Sequence, residues 1–200
     1  MPDISQYPAI VPPYVNEEMK EGWSPYKRNP DNDVRYWAVP GTPGFTHRIG
    51  GLEKSAATGA ISNDPENHHS MVVTRARKVA KIAESLPPLQ VEGCEDADLL
   101  IVGFGGTYGH LCEAMQQMNA EGKKVALAHF RYINPLPANT ADVLRRYKKI
   151  VVAEQNMGQF AGYLRTSIDG IELHQYNEVK GQPFVVADLV KEFTKIIETK

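Results

Sequence analysis

Two short, unbroken apolar runs constrain the fold of this 200-residue sequence more than any other feature. Residues 99–102 (LLIV) and 150–153 (IVVA) contain no alternating polar positions, which is typical of strands buried on both faces of a parallel sheet. A third strand is predicted at Val125–Phe130, and a weaker one, nearer an edge, at 171–176. Parallel neighbours need long crossover connections, so helices are expected between these strands.

Helical patterns occupy the intervals between the runs, because their apolar residues recur three or four positions apart. The stripes are Leu111, Met115 and Met118; Val143, Leu144 and Tyr147; Phe160, Leu164 and Ile168; and, after the last strand, Leu189, Val190, Phe193, Ile196 and Ile197. The alternation predicts a three-layer α/β/α domain with a mostly parallel sheet over residues 89–200.

Residues 1–88 have a different character. Eight of the fourteen prolines and both tryptophans lie in residues 1–45, where neither a helical nor a strand period is present. We interpret this stretch as an extended arm that lies over another surface, with a disordered tail as the alternative. A short strand is predicted at 45–51, and Asp64, Pro65 and Glu66 predict the start of a helix over 65–86. Its predicted apolar stripe is Val72, Ala76, Val79, Ala83 and Leu86.

The charge and the cysteines exclude several classes of protein. A net charge of −2 favours neither nucleic acid nor an anionic membrane as a partner. No apolar stretch approaches the roughly 20 residues of a membrane span, and residues 1–3 do not begin a signal peptide, which predicts a cytoplasmic protein. Cys94 and Cys112 stand alone, so we predict no disulfide, zinc or iron–sulfur site from this chain alone.

A glycine-rich turn, residues 103–109 (GFGGTYG), follows the first apolar run and precedes a helix. Dinucleotide-binding folds place a phosphate at such a turn, and Arg131 after the next strand suits a 2′-phosphate, so an NADP- or nucleotide-binding module is one interpretation. The spacing departs from G-x-G-x-x-G because Tyr108 replaces the third glycine. We favour the interpretation that Gly105 and Gly106 permit a tight turn, and we keep both as candidates for a ligand or subunit contact.

A second polar cluster, at 154–159, follows the strand predicted at 150–153. Glu154, Asn156, Gly158 and Gln159 are candidates for a ligand or subunit contact, because ligands gather beyond the carboxyl ends of strands in open α/β sheets. The alternative for Glu154 is a solvated carboxylate that caps the next helix. The six histidines are scattered and no nucleophilic triad is recognisable, so no catalytic or metal-binding residue is predicted.

Several motifs together resemble a known family. They are residues 100–105 (LIVGFG), the turn 120–124 (AEGKK), residues 134–137 (NPLP), residues 151–159 (VVAEQNMGQ), and, upstream, Gly50-Gly51-Leu52-Glu53, residues 64–68 (DPENH) and 75–78 (RARK). The stretch from Asp98 to Tyr163 is similar to the C-terminal domain of transketolase-like thiamine enzymes. The whole series resembles the C-terminal part of the α subunit of 2-oxoacid:ferredoxin oxidoreductases, especially the 2-oxoglutarate type.

The resemblance implies a function and an assembly. Residues 1–88 would be the tail of a pyrimidine-binding domain, and 89–200 a transketolase C-terminal-like domain. The assembled enzyme would decarboxylate a 2-oxoacid oxidatively, with coenzyme A as substrate and ferredoxin as acceptor. This part would serve structural and subunit-contact roles, against a β subunit and the rest of the α subunit. The C-terminal domain of another thiamine diphosphate enzyme is the remaining alternative.

Two departures from the family pattern bear on chemistry. Lys54 stands where many relatives have a histidine, which puts any role of that histidine in doubt. No Gly-Asp-Gly motif for a thiamine diphosphate–Mg²⁺ site occurs in the sequence. We therefore expect thiamine diphosphate, Mg²⁺ and iron–sulfur clusters in the partner polypeptides and no cofactor in this chain, and we expect the chain to be inactive by itself.

Overall fold

The structure, a computed structural model, describes residues 3–7 and 9–199 and divides the chain into two compact units, Met1–Ile82 and Ala83–Lys200. The assignment of residues 1–88 and 89–200 to two particular domains stays a prediction. No helix among the described residues is both long and apolar enough to cross a membrane.

Unit 1 contains one long helix, α1 (Pro65–Lys81), followed by a 3-10 turn, Ile82–Ser85. It begins as predicted, because Asp64 Oδ1 accepts a hydrogen bond from the Glu66 amide at 3.2 Å. The predicted apolar stripe is wrong in its first half, because Val72 and Ala76 are exposed and Met71 is the buried residue. The predicted helix thus forms, but it packs through a different face.

The arm that precedes α1 is extended, as predicted, but parts of it contact other segments of unit 1. Trp37 pairs with residues 13–15 through two backbone hydrogen bonds, at 2.8 and 3.0 Å. The Trp23 and Phe45 rings lie edge to face, 5.3 Å apart. The strand predicted at 45–51 does not form, because no segment in the described part of unit 1 pairs with it.

A five-stranded sheet forms the centre of unit 2. Its strands are β1 (Glu92–Gly93), β2 (Leu99–Phe104), β3 (Val125–Phe130), β4 (Ile150–Glu154) and β5 (His174–Asn177). They lie in the order β1-β3-β2-β4-β5, and every neighbouring pair is parallel except β1 and β3. The mostly parallel sheet is confirmed, whereas the short antiparallel edge strand β1 was not predicted.

Helices cover both faces of the sheet. They are α2 (Tyr108–Ala120), α3 (Thr140–Leu144), α4 (Gln159–Ser167) and α5 (Val186–Glu198). Helices α2 and α5 pack on one face and α3 and α4 on the other, each against its own cluster of buried side chains. Strand β2 supplies both clusters in alternation, Leu99 and Ile101 to one and Leu100 and Val102 to the other. The predicted three-layer α/β/α fold is confirmed.

Candidate functional site

Glu154, at the end of β4, is fully buried. Its carboxylate accepts hydrogen bonds from the backbone amides of Phe160, at 2.7 Å, and Ala161, at 2.9 Å. These are first-turn amides of α4, which have no partner within the helix. Glu154 therefore caps α4 as a buried residue, whereas the capping interpretation of the sequence made it solvated.

The other candidates in this loop also serve its internal geometry. Asn156 Oδ1 accepts from the amides of Gly158, at 2.7 Å, and Gln159, at 3.1 Å. Gly158 has a φ of +93°, which a residue with a Cβ rarely adopts. Gln159 is exposed at the start of α4. A ligand or subunit contact by these four residues stays a prediction.

The glycine-rich turn after β2 is tight, as the favoured interpretation expected. A Cβ at Gly103 would lie 2.2 Å from a Leu111 methyl group, so α2 can approach β2 this closely only over a glycine. Gly105 has a φ of +62°, and neither it nor Gly106 has a non-neighbouring heavy atom within 4 Å of an ideal Cβ position. Both are exposed, and their functional role likewise stays a prediction.

A cavity of 540 Å³ lies at the carboxyl ends of β2 and β3. These neighbouring strands continue into α2 and α3, which pack on opposite faces, so the two connections diverge at this edge. Ligand sites of open α/β sheets lie outside the carboxyl ends of the strands, as this cavity does. The lining residues are Pro87, Pro88, Leu89, Gln90, Glu92, Gly105, Tyr108, His129, Arg131, Tyr132 and Pro137.

Tyr108 and Glu92 form a hydrogen-bonded pair in the wall of this cavity. The Tyr108 hydroxyl donates to the Glu92 carboxylate, with distances of 3.0 and 3.2 Å to its two oxygens. The hydrogen bond to this carboxylate raises the pKa of Tyr108 to about 12. Tyr108 therefore keeps its proton at neutral pH. Its hydroxyl is hydrogen-bonded to Glu92, the one carboxylate among the residues that line the cavity.

His129 and Arg131, from the end of β3, retain free polar atoms in the same cavity. His129 Nε2 is buried without a hydrogen-bond partner, and the Tyr108 ring lies edge to face against the imidazole at 5.1 Å. Burial, and then the Arg131 guanidinium, lower the pKa of His129, so the ring is neutral at pH 7. Arg131 is exposed and makes no ion pair with any described residue.

Sequence reasoning found part of this constellation. Gly105 and Arg131 were connected in the nucleotide interpretation, and the structure brings them to one cavity. Tyr108 was noted only as a departure from the glycine motif, and His129 only as one of six scattered histidines. The signal that could have found both is position, because Tyr108 follows one strand end and His129 lies beside the next.

The donor groups that the implied cofactors need are not gathered in the described part of the chain. No three His, Cys, Asp or Glu side chains there are placed to hold a metal ion. The Cys94 thiol donates to Asn119 Oδ1 and the Cys112 sulfur accepts from Gln116, both at 3.5 Å. Neither a thiamine diphosphate–Mg²⁺ site nor an iron–sulfur cluster fits these residues.

Lys54, the residue that departs from the family pattern, is almost completely buried, with 1% of its surface exposed. Its ammonium group donates to the carbonyl oxygens of Gly50, at 3.0 Å, and Leu52. The side chain of Asn67 in α1 binds the Lys54 carbonyl at 2.9 Å and the Ala56 amide at 3.1 Å. Lys54 thus closes its own loop by hydrogen bonding to backbone carbonyls.

Comparisons with known proteins agree with this fold. Residues 97–188 match the family model of the pyruvate:ferredoxin oxidoreductase core domain II. Over 94% of its length the chain is 41% identical to the 2-oxoglutarate oxidoreductase subunit KorA of Mycobacterium tuberculosis. Over 76% it is 28% identical to the α subunit of 2-oxoacid:ferredoxin oxidoreductase 2 of Aeropyrum pernix.

A solved structure is similar as well. The 2-oxoglutarate:ferredoxin oxidoreductase from Magnetococcus marinus, with 2-oxoglutarate, coenzyme A and succinyl-CoA bound, matches 98% of this chain with a TM-score of 0.86 and 30% identity.

Strands β2 to β5 of the sheet lie within the residues that match core domain II of pyruvate:ferredoxin oxidoreductase. Over most of its length the chain is similar to α subunits of 2-oxoacid:ferredoxin oxidoreductases, the resemblance that its motifs predicted. It spans 28% of the length of the mycobacterial subunit, 24% of the Aeropyrum subunit and 34% of the Magnetococcus chain.

Proposed function

We propose that this chain supplies domain II and the adjoining arm to the α subunit of a 2-oxoglutarate:ferredoxin oxidoreductase. In the reaction, the bond between C1 and C2 of the 2-oxoacid breaks and C1 leaves as CO₂. The acyl group passes to the thiol of coenzyme A, and two electrons pass singly to two ferredoxins. The 41% identity to a 2-oxoglutarate oxidoreductase subunit supports this substrate.

The described residues do not carry the chemical step. Thiamine diphosphate with Mg²⁺ stabilises the carbanion in such a reaction, and iron–sulfur clusters conduct the electrons. The described part of the chain gathers no donor set for either, so we assign these groups to the rest of the α subunit and to a β subunit. We propose accordingly that the assembled complex is cytoplasmic and that ferredoxin is the partner that it reduces.

The exposed apolar side chains of unit 1 are the observation that supports the subunit-contact role. Phe45 and Met71 are the buried hydrophobic side chains in its described part. Many large hydrophobic side chains of the same unit are exposed: Tyr7, Ile10, Val11, Tyr14, Trp37, Val39, Ile49, Leu52, Ile61, Val72, Val73 and Ile82. A surface of this kind is typical of an interaction site, because exposed apolar patches of such extent are rare on monomers.

Purification under anaerobic conditions tests the assignment of the chemistry. The chain alone is expected to contain no stoichiometric iron or sulfide and to show no 2-oxoglutarate-dependent reduction of ferredoxin. Activity is expected when it is produced together with the remaining α-subunit sequence and a β subunit that carries Gly-Asp-Gly and clustered cysteines. Stoichiometric iron and sulfide in the isolated chain would contradict the proposal.

A pair of matched substitutions tests the contact role of the arm. Val11 and Val179 are both exposed, at 84% and 61%, one in the arm and the other in unit 2. Val11→Asp is expected to weaken association with the β subunit or the rest of the α subunit by about tenfold or more, because the interface would bury an unpaired charge. Val179→Asp is the control. If the two substitutions weakened association equally, the arm would not be part of the interface.

A further inference from the structure

The proposed function leaves one motif unused, the glycine-rich turn together with Arg131. The structure places both on the cavity at the carboxyl ends of β2 and β3. We propose that this cavity binds a nucleotide, with the base against its proline and tyrosine side chains and a phosphate on Arg131. The proposal does not rest on the reaction above, because every residue that carries it lies in unit 2.

The size and walls of the cavity suit a nucleotide base. Its volume of 540 Å³ falls within the range of about 300–1,000 Å³ typical of small-molecule sites. Three prolines, Leu89 and two tyrosines supply most of the lining. Tyr132 is 44% exposed, so part of its surface is open to a ligand. Flat aromatic side chains stack on any base, because every base offers a π-face.

Among the residues that line the cavity, one cation, Arg131, is available to bind an anionic group. Glu92 is the carboxylate of the lining, and the Tyr108 hydroxyl already donates to it. Arg131 has no such partner among the described residues and keeps all five donors of its guanidinium. A guanidinium binds phosphate oxygens in pairs, which favours a phosphate over a neutral ligand.

The turn beside Arg131 adds to the preference for an anion. No side chain caps the first turn of α2, and the Thr107 hydroxyl donates instead to the Phe104 carbonyl at 2.9 Å. Gly105 lines the cavity without a side chain to fill it. Tyr108, the first residue of α2, and Arg131 line the same cavity, so the positive end of the α2 dipole also lies at this cavity.

His129 supplies a site for one directed hydrogen bond. Its Nε2 is buried beside the cavity without a hydrogen-bond partner, and such an atom destabilises the fold unless a ligand or water satisfies it. The neutral ring can donate or accept at that atom, depending on the tautomer. A ribose hydroxyl or a ring nitrogen of the base can pair with it in either case.

Calorimetric titration of the 200-residue chain with 5′-AMP, adenosine and inorganic phosphate tests the proposal. We expect saturable binding of 5′-AMP that is at least tenfold tighter than that of adenosine or phosphate. Coenzyme A and NADP⁺ are titrated next, because both carry an adenosine with an additional ribose phosphate. Of 5′-AMP, coenzyme A and NADP⁺, the one that binds most tightly identifies the kind of nucleotide that the cavity binds.

Arg131→Gln and Arg146→Gln form the matched pair of variants. Arg146 is an exposed arginine of the same unit that does not line the cavity. We expect Arg131→Gln to weaken binding of 5′-AMP about tenfold or more, and Arg146→Gln to change it less than twofold. Circular dichroism melting of both variants checks that the fold is retained.

Three outcomes would overturn the proposal. The first is no saturable binding of any nucleotide to the intact chain. The second is inorganic phosphate that binds as tightly as 5′-AMP, because the base would then contribute nothing. The third is an equal loss of affinity in Arg131→Gln and Arg146→Gln, because the effect would then reflect overall charge.

Discussion

At the carboxyl edge of the sheet, some side chains use their polar atoms in hydrogen bonds within the fold, and others do not. Glu154 and Asn156 give theirs to backbone amides at the start of α4. His129 Nε2 and the Arg131 guanidinium have no such partner among the described residues. The groups that stabilise the loop after β4 are therefore less available to a ligand than those after β3.

Gly158 gives a prediction at this scale. Its φ is +93°, and an added Cβ would lie 2.3 Å from the Gln175 side-chain amide. Gly158→Val is expected to lower the free energy of unfolding by about 1–3 kcal/mol, because the backbone there is strained for any residue with a Cβ. Urea denaturation measures the change.

Gly162 is the control for this substitution, because it lies within α4 with no non-neighbouring atom within 4 Å of a Cβ. Gly162→Val should leave the midpoint of denaturation unchanged or raise it slightly. A midpoint of Gly158→Val equal to that of the parent would mean that this turn is different from the one described.

Single residues also show where sequence reasoning was limited. The positions of Glu154, Gly158 and Arg131 at strand ends follow from the apolar runs that precede them. Whether their polar atoms are used depends on the register between a loop and the next helix, which a sequence pattern does not contain. Lys54 illustrates the same limit. No pattern in the sequence around it predicts that its side chain is buried and hydrogen-bonded to backbone carbonyl oxygens.

At the scale of elements, an acidic side chain joins the arm to α1. Asp33 is buried in a left-handed conformation, with φ of 60°, and pairs with Arg77 at 2.7 Å and Lys81 at 3.0 Å. Hydrogen bonds from Arg77 and then Lys81 hold the pKa of Asp33 well below its usual value of 3.8. The ionised form therefore stabilises the contact between the arm and the helix.

The lowered pKa sets the pH dependence of this contact. A carboxyl group whose pKa is lower in the folded state contributes stability above its unfolded pKa and loses it as the pH falls. The contact between the arm and α1 should thus keep its full stability above pH 3.8, weaken as the pH falls below that value, and be lost only when the pH falls through the much lower pKa of the folded state. Asp33→Asn should release the arm at neutral pH.

Limited proteolysis at pH 7 measures this release, with cleavage within residues 27–40 as the readout. Asp33→Asn is expected to be cleaved several times faster than the parent. Asp31→Asn is the control, because Asp31 is exposed and its hydrogen bonds, to Lys81 and Asn29, are made by its backbone. Equal cleavage of the parent and Asp33→Asn would show that the carboxylate does not hold the arm.

The elements that the sequence predicted well are those whose pattern comes from burial on both sides. Strands β2, β3 and β4 coincide with their apolar runs, and α2 and α5 contain their predicted stripes, whereas α3 ends before Tyr147 and α4 before Ile168. Strand β1 was missed because a pair of exposed residues, Glu92–Gly93, forms it only by pairing with β3. The stripe of α1 was misplaced because Met71 is buried and Val72 is exposed, while Lys81 pairs with Asp33 of the arm.

For the molecule as a whole, the unequal distribution of buried apolar side chains predicts unequal stability. We expect amides of residues 9–11, which include Ile10 and Val11, to exchange hydrogen almost without protection in the isolated chain. They should become protected when the β subunit and the remaining α-subunit sequence are added. Amides of β2 should be protected in both states and serve as the internal reference. Protection of residues 9–11 in the monomeric chain would mean that this end of the arm packs within its own unit.

The sheet of unit 2 also acts as a partition between two cores that share no side chain. Leu164 belongs to one core and Leu189 to the other, and both are fully buried. Replacing each by alanine should cost about 2–5 kcal/mol, and the double variant should equal the sum to within about 0.5 kcal/mol. Chemical denaturation of the three variants measures this, and a larger deviation would show coupling through the sheet. Independence of this kind lets substitutions accumulate on one face of the domain while the other face keeps its side chains.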